Sequence, residues 1–286
     1  NLAGKKQGAK LATKISTKTS GMTYIESTQV LLGKEDWLFY KSVEDGDPLA
    51  DFEGLNHYEE EDLQDMAKKL QEDEAFFQSI GSEFYILSIP NKSNIYTEYM
   101  PDTVTKQNDK TRTDNFCEYL QQNTNLHVIN VKDALLNLKD NYRLYYSNDT
   151  HFNEVGSFVG VEVLKNAIDG NAQDISEVSF DVVDEEYVGD LAILCNLEDV
   201  FNQEYKYQLN DSSVDKSKKS DKTILMVGDS FSGCMESVLK KYFKKATTVN
   251  VDAYKPELLE KLKPDIVVWE SVERYTDRFS WFRFQE

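Results

Sequence analysis

The sequence predicts an α/β fold with a mainly parallel central sheet, helices on both faces and a small β-rich insertion. Three observations carry this. Short apolar runs that read as buried strands alternate with amphipathic segments of helical period. Such alternation requires crossover connections, hence parallel strands covered on both faces. The rhythm breaks over about residues 170–222, where two short alternating runs stand in a polar background.

Taken in order, residues 1–28 are rich in Lys, Thr, Ser and Gly and read as a linker or juxtamembrane stalk. The domain is expected to span 29–286. Residues 30–40 read as two short strands around Gly33-Lys34-Glu35-Asp36, and 45–48 as loop. Residues 58–80 place Leu63, Met66, Ala67, Leu70, Phe76 and Phe77 at helical spacing on a charged background. Gly81 ends that helix and 83–89 is a strand. The loop 90–101 lies beyond the strand's C-terminal end, the edge where α/β folds carry binding groups. Helices follow at 113–122 and 131–138, with a short strand at 127–130 between them. A helix is expected over about 153–168. In the insertion, 178–188 and 205–209 read as strands and 210–221 as a flexible polar loop. Residues 224–227 form a strand running into Gly228-Asp229-Ser230, and an amphipathic helix covers 235–243. A strand at 246–251, a helix at 256–262 and a strand at 265–270 complete the sheet, with Glu273-Arg274-Tyr275 at its edge.

Composition narrows the function. The 286 residues are 40% hydrophobic and 12% aromatic, enough for one large core or a core plus a lobe. A net charge of −19 argues against binding nucleic acid or an anionic membrane. No segment approaches the roughly 18 apolar residues of a membrane span. The chain starts at Asn1 rather than Met, so a removed signal or anchor is expected. Cys117, Cys195 and Cys234 lack CxxC spacing and fit neither a zinc cluster nor a disulfide framework, although a single Cys195–Cys234 bridge is compatible with the sequence. No cofactor or metal is expected, because no His-rich or Cys-rich cluster supplies three convergent ligands.

A serine on a strand–turn–helix corner sits beside free N–H groups that can hold an oxyanion. Ser230 occupies such a corner, and the competing reading makes it an ordinary helix N-cap. A nucleophilic serine needs a base, and only His57, His127 and His151 exist. His57 stands among acids and reads as solvated; His127 opens a strand and reads as structural. His151 lies in Asp149-Thr150-His151. Residues i and i+2 of an extended segment share a side, so Asp149 can orient the ring that deprotonates Ser230. The alternative is Asp149 as a helix cap and His151 as a satisfied surface group.

Together these residues resemble a family. Gly228-Asp229-Ser230-Phe231 is similar to the nucleophile block of SGNH (GDSL-type) hydrolases, although Ser232 stands where the strict G-x-S-x-G elbow has its second Gly. The His–Asp pair precedes the serine, reversing the common order, and one residue separates the pair rather than two. That arrangement resembles the alginate O-acetyltransferase (AlgJ/AlgX-type) SGNH-like proteins. Further similarities are Gly33-Lys34-Glu35-Asp36-Trp37-Leu38-Phe39, with Asp36 for Gly, and the Pro90-Asn91-Lys92…Tyr96 loop. Asp149-Thr150-His151-Phe152-Asn153 has Phe152 for Trp, and Trp269 to Tyr275 resembles the terminal strand motif.

The resemblance implies an SGNH-like three-layer α/β/α sandwich, placed extracytoplasmically (cell surface or periplasm) and tethered by an N-terminal segment. It implies polysaccharide O-acetylation through an acetyl-serine on Ser230, with His151 as base and Asp149 as orienter. The acetyl donor would arrive through a membrane-bound O-acyltransferase and the acceptor would be an exported polysaccharide. A carbohydrate acetylesterase and a non-catalytic polysaccharide-binding assembly subunit are the alternatives. Asn91, Lys92, Arg274 and Tyr275 lie at the right sheet edge for oxyanion or substrate contacts, with a surface ion pair as the competing reading of Lys92 and Arg274. Trp37 and Trp269 read as core rather than as sugar platforms.

Overall fold

The computed structural model describes residues 20–286; the first 19 residues of the expected stalk lie outside this range. β1 (Val30–Leu32) and β2 (Leu38–Tyr40) pair antiparallel, Val30 opposite Tyr40. The turn between them bends through positive φ at Glu35 and Asp36. α1 (Pro48–Glu53) starts with Pro48, whose missing N–H costs nothing at a first helical position. α2 (Glu60–Ser79) starts with a capping box from Glu59 and Asp62. β3 (Glu83–Ile89) runs into α3 (Lys92–Ile95); α4 (Arg112–Asn123), β4 (His127–Asn130) and α5 (Lys132–Leu138) follow. α6 (Glu154–Asp169) leads into the insertion, which contains β5 (Phe180–Asp184), α7 (Asp190–Leu194) and β6 (Lys206–Leu209). β7 (Ser220–Gly228), α8 (Ser230–Tyr242), β8 (Phe243–Asn250), α9 (Glu257–Leu262), β9 (Ile266–Val272) and α10 (Arg278–Trp281) end the chain.

The central sheet has the order β4-β3-β9-β7-β8 and every pairing in it is parallel. Its pleat divides the core in two. Tyr85, Leu87 and Ile89 of β3 point with Met226 and Val268 toward α5, α6 and α8. Phe84 and Ile86 point with Val227 and Trp269 toward α2, α4, α9 and α10. Two helical layers on a parallel sheet form the three-layer sandwich that the strand–helix alternation predicts. Trp37 and Trp269 are both buried, as expected of core residues.

Two expectations need correction in the insertion. It carries α7 as well as strands, a helix too short for periodicity to reveal. Residues 210–221 are built from two 3₁₀ turns and the start of β7 rather than a loop throughout. β5 and β6 do pair, antiparallel, with Phe180 opposite Leu209. Ile25 packs with Val30, Leu38, Leu191, Ala192 and Phe201, joining the first described residues to α7.

At the end of β7, Gly228 leaves room for a carboxyl. A Cβ built there would stand 2.2 Å from Glu270 Oε2 and 3.0 Å from the Glu270 carbonyl oxygen. Glu270 is fully buried, and burial together with the charge of Asp229 pushes its carboxyl well above the usual range. Gly228→Ala is therefore expected to overpack the β7–β9 contact and lower stability by about 1–3 kcal/mol. Denaturant melts at unchanged slope would show it, and an unchanged midpoint would refute the steric reading.

Candidate active site

Ser230 lies just past the C-terminal end of β7, at the start of α8 on the sheet's C-terminal edge. The cap of α8 is Asp229, not Ser230: its Oδ1 accepts the Phe231 N–H at 2.9 Å. Asp229 Oδ2 accepts the Val272 N–H at 2.7 Å, tying the turn to β9. Ser230 is thereby the first helical residue, where its N–H has no intrahelical partner. It is solvent-exposed, while Asp229 and Phe231 on either side are buried.

His151 reaches it from the segment before α6. Its Nε2 lies 2.6 Å from Ser230 Oγ, and its Nδ1 lies 2.7 Å from Asp149 Oδ1. The ring stands 4.9 Å, centroid to centroid, from Phe231. The cap of α6 is Asn153, which accepts the Val155 and Gly156 N–H groups, so Asp149 is free of that role. Asp149 Oδ1 also accepts the His151 N–H at 2.9 Å, while Oδ2 accepts the Tyr187 hydroxyl and the Asp190 N–H, each at 3.0 Å. Burial alone would raise its pKa. The hydrogen bond and charge of His151, with the N–H groups of His151 and Asp190, outweigh that and hold the carboxyl well below the usual carboxylate range.

Tyr187 and Asp190 come from the insertion, and the sequence reading missed both. Gly189 was the available signal. A Cβ there would stand 2.4 Å from the Asn148 carbonyl oxygen and 2.5 Å from Asp149 Cβ, so only glycine lets the insertion run against this loop. Asn148 adds to the join by donating to the carbonyls of Tyr187 and Phe201 at 2.8 and 2.7 Å. Asp149, His151 and Asp190 bring donor atoms within 4.8 Å of one another. Both His151 nitrogens are already engaged, by Asp149 and Ser230.

The four edge residues fare differently. Lys92 is not on the surface. Its buried Nζ donates to the carbonyls of Tyr146, Ser147 and Asp149 at 3.0, 3.0 and 2.6 Å, which uses all three ammonium protons. Burial pushes its amine down to about 7, against the charges of Asp149 and Asp190. Arg274 is also buried, so the surface ion pair is excluded for both residues. Its guanidinium lies 6.0 Å from the Phe231 ring, and Nη1 donates to Asn91 Oδ1 at 3.4 Å. Neither Arg274 Nε nor Asn91 Nδ2 has a partner among the described residues. Tyr275 turns its hydroxyl onto Asp45, 2.7 Å from either carboxylate oxygen. His57 is exposed beside Glu59, and His127 stacks on Tyr85 at 4.7 Å, at the opposite end of the sheet from Ser230. Cys117, Cys195 and Cys234 are all free thiols.

Lys92→Met keeps the stem of this side chain and removes its donors to the carbonyls of Tyr146, Ser147 and Asp149, of which Ser147 keeps the Leu38 N–H. It is expected to cost about 1–3 kcal/mol or more and to loosen the 146–149 loop. Thermal unfolding checks the first, and faster amide exchange at residues 146–149 the second.

Over residues 30–273 the chain matches the family described as the SGNH hydrolase-like domain of acetyltransferase AlgX. Its fold is similar to the O-acetyltransferase domain of Pseudomonas putida AlgJ, at 19% identity and TM-score 0.59, covering 86% of this chain and 91% of that one. It is similar to Bacillus cereus PatB1 at 13% identity and TM-score 0.60, covering 90% and 99%. It is also similar to Pseudomonas aeruginosa AlgX at 13% identity and TM-score 0.52, covering 85% and 61%. No curated protein matches the sequence. Among the described residues no helix is long and apolar enough to cross a membrane. With the match running through both the His151 and the Ser230 segments, the chain belongs to the SGNH hydrolase-like family of AlgX-type acetyltransferase domains.

Proposed function

We propose that this domain transfers an acetyl group to a hydroxyl of an exported or cell-surface polysaccharide through an acetyl-serine on Ser230. The observation that carries the reading is an exposed serine 2.6 Å from His151 Nε2, with Asp149 2.7 Å from the other ring nitrogen. As Ser230 Oγ bonds to the acetyl carbon, its proton passes to His151 Nε2. The tetrahedral intermediate then expels the donor's oxygen, which takes that proton. The acceptor hydroxyl repeats the steps in reverse: it gives its proton to Nε2, takes the acetyl group and releases Ser230 Oγ, which recovers the proton.

The oxyanion is held by the Ser230 N–H, with Arg274 as side-chain donor. β9 is the immediate neighbour of β7, and Arg274 Nε is buried without a partner. Asn91 braces Arg274, and Tyr275 and Lys92 support the surrounding loops. The donor comes through a membrane-bound O-acyltransferase, and the domain works outside the cytoplasm, tethered by an N-terminal segment. Similar proteins fit the chemistry: the matching part of Pseudomonas putida AlgJ is an O-acetyltransferase domain, and Bacillus cereus PatB1 carries a sulfonyl adduct in one structure. The exposure of Ser230 favours acetylesterase activity as a side reaction, since water reaches the same intermediate. The contact distances weigh against a non-catalytic assembly subunit.

Ser230→Ala is expected to lower turnover of a model acetyl ester by roughly 10⁴-fold or more and to abolish the one-acetyl mass increase of the intact protein. Turnover retained in this variant would end the catalytic reading. Acetyl found on an added oligosaccharide rather than released as acetate identifies transfer over hydrolysis. The net charge of −19 repels a polyanionic acceptor. Neutral oligosaccharides are therefore expected to accept acetyl faster than polyuronates at low salt, with the gap narrowing as ionic strength rises; mass spectrometry of the two acceptors measures it.

A further inference from the structure

The insertion brings a second carboxylate to His151. Asp190 begins α7, and its Oδ2 lies 3.6 Å from His151 Nδ1. Thr150 joins the two: its hydroxyl donates to Asp190 Oδ2 at 2.5 Å, and its Oγ1 lies 3.2 Å from His151 Nδ1. Asp190 Oδ1 accepts the Thr150 N–H at 2.7 Å, so both carboxylate oxygens are fixed by one residue of the His151 loop. The Asp190 N–H meanwhile donates to Asp149. The same residue thus orders Asp149 through its main chain and faces the imidazole through its side chain.

We infer that Asp190 is a positioning residue for acyl transfer, its carboxylate stabilising the imidazolium that forms when His151 takes the Ser230 proton. This rests on the reading of Ser230, His151 and Asp149 as the reacting groups. Two carboxylates so close repel one another while the imidazole is neutral. Burial and the Asp149 charge accordingly raise the pKa of Asp190. The repulsion is relieved when a positive charge appears between them, so the arrangement favours the charged state more than the resting one. Other ionisable groups facing this cluster are Tyr187, Tyr146, Cys234 and Lys92. Burial pushes both tyrosine hydroxyls up and the Cys234 thiol to about 12, leaving all three neutral. Lys92 is turned away from the ring, onto the carbonyls of Tyr146, Ser147 and Asp149. Asp149 and Asp190 are therefore the negative charges next to the ring.

The test is the pH profile of kcat/KM on a model acetyl ester for Asp190→Asn and Tyr187→Phe. Asn is isosteric and leaves the residue-190 N–H on Asp149 and a side-chain oxygen for the Thr150 N–H. Asp190→Asn is expected to lower kcat/KM about tenfold and move the acid limb of the profile about one unit toward lower pH, since one negative charge beside the imidazolium is gone. Tyr187→Phe removes a hydrogen bond to Asp149 but no charge; it is expected to lower the rate with the limb in place. An Asp190→Asn profile of unchanged position, whether or not the rate falls, overturns the inference while leaving the nucleophile reading intact. Activity surviving in Ser230→Ala would instead overturn the reading on which it rests. Should Asp190→Asn fail to fold, Thr150→Val, which removes the hydroxyl shared by Asp190 and His151 and keeps the Thr150 N–H on Asp190, takes its place: an acid limb moved toward lower pH supports the inference and an unmoved limb overturns it.

Discussion

Asp149 carries a charge where little water reaches it, with 3% of its surface exposed. A buried carboxylate costs several kcal/mol unless its lone pairs are met. Here the donors come from three places in the chain: the His151 ring and N–H, the Tyr187 hydroxyl and the Asp190 N–H. No one of these segments can satisfy the group alone. The 146–151 loop and the insertion must therefore be in place together, and the geometry of His151 follows from that requirement. Lys92 ties the same loop from behind, through its carbonyls.

A second buried pair works in parallel. Arg143 donates to Glu204 at 2.7 Å, and Glu204 also accepts the Ser147 N–H at 2.6 Å. The Arg143 guanidinium lies 4.1 Å from the Trp37 ring. Residues from the β1–β2 hairpin, the His151 loop and the insertion thus share one polar network beneath the site. Such networks rigidify when every member is satisfied and are costly when one is removed. Ser230, by contrast, projects from a helix start into solvent.

How much of this could be read from the sequence depends on the range of each interaction. β3, β4 and β9 and the long helices α2, α4 and α6 were legible because apolar spacing is a local signal that directly reports burial. Asp149 and His151 were legible because their relation is also local, two residues apart on one side of an extended segment. Lys92 was legible as a group at the sheet edge, but not its burial, since a lysine's destination depends on carbonyls more than 50 residues away. Asp190 and Tyr187 left no pattern of their own. α7 has five residues, and the significance of Gly189 appears only when Asn148 and Asp149 are packed against it. Polar groups that converge from distant segments have no period, so the polar frame of the site is the part that hydrophobic patterning cannot reach.

The reversed order of the serine and the His–Asp pair then has a structural account. Ser230 belongs to the β7–α8 corner, and His151 to the approach to α6. They meet because α6 and α8 pack side by side on one face of the sheet, where Val155, Phe158 and Val159 of α6 and Met235, Val238 and Leu239 of α8 belong to one core. At their starts, Phe152 meets Phe231 edge-on at 4.9 Å, and the two rings are the chain neighbours of His151 and Ser230. This contact sets the height of one helix start against the other. A slip by one helical turn, about 5.4 Å, would leave His151 out of reach of Ser230. Chain order does not enter this constraint. What the site requires is that two helix starts on one face lie level at the C-terminal edge of the sheet, and the pairing of Phe152 with Phe231 keeps them so.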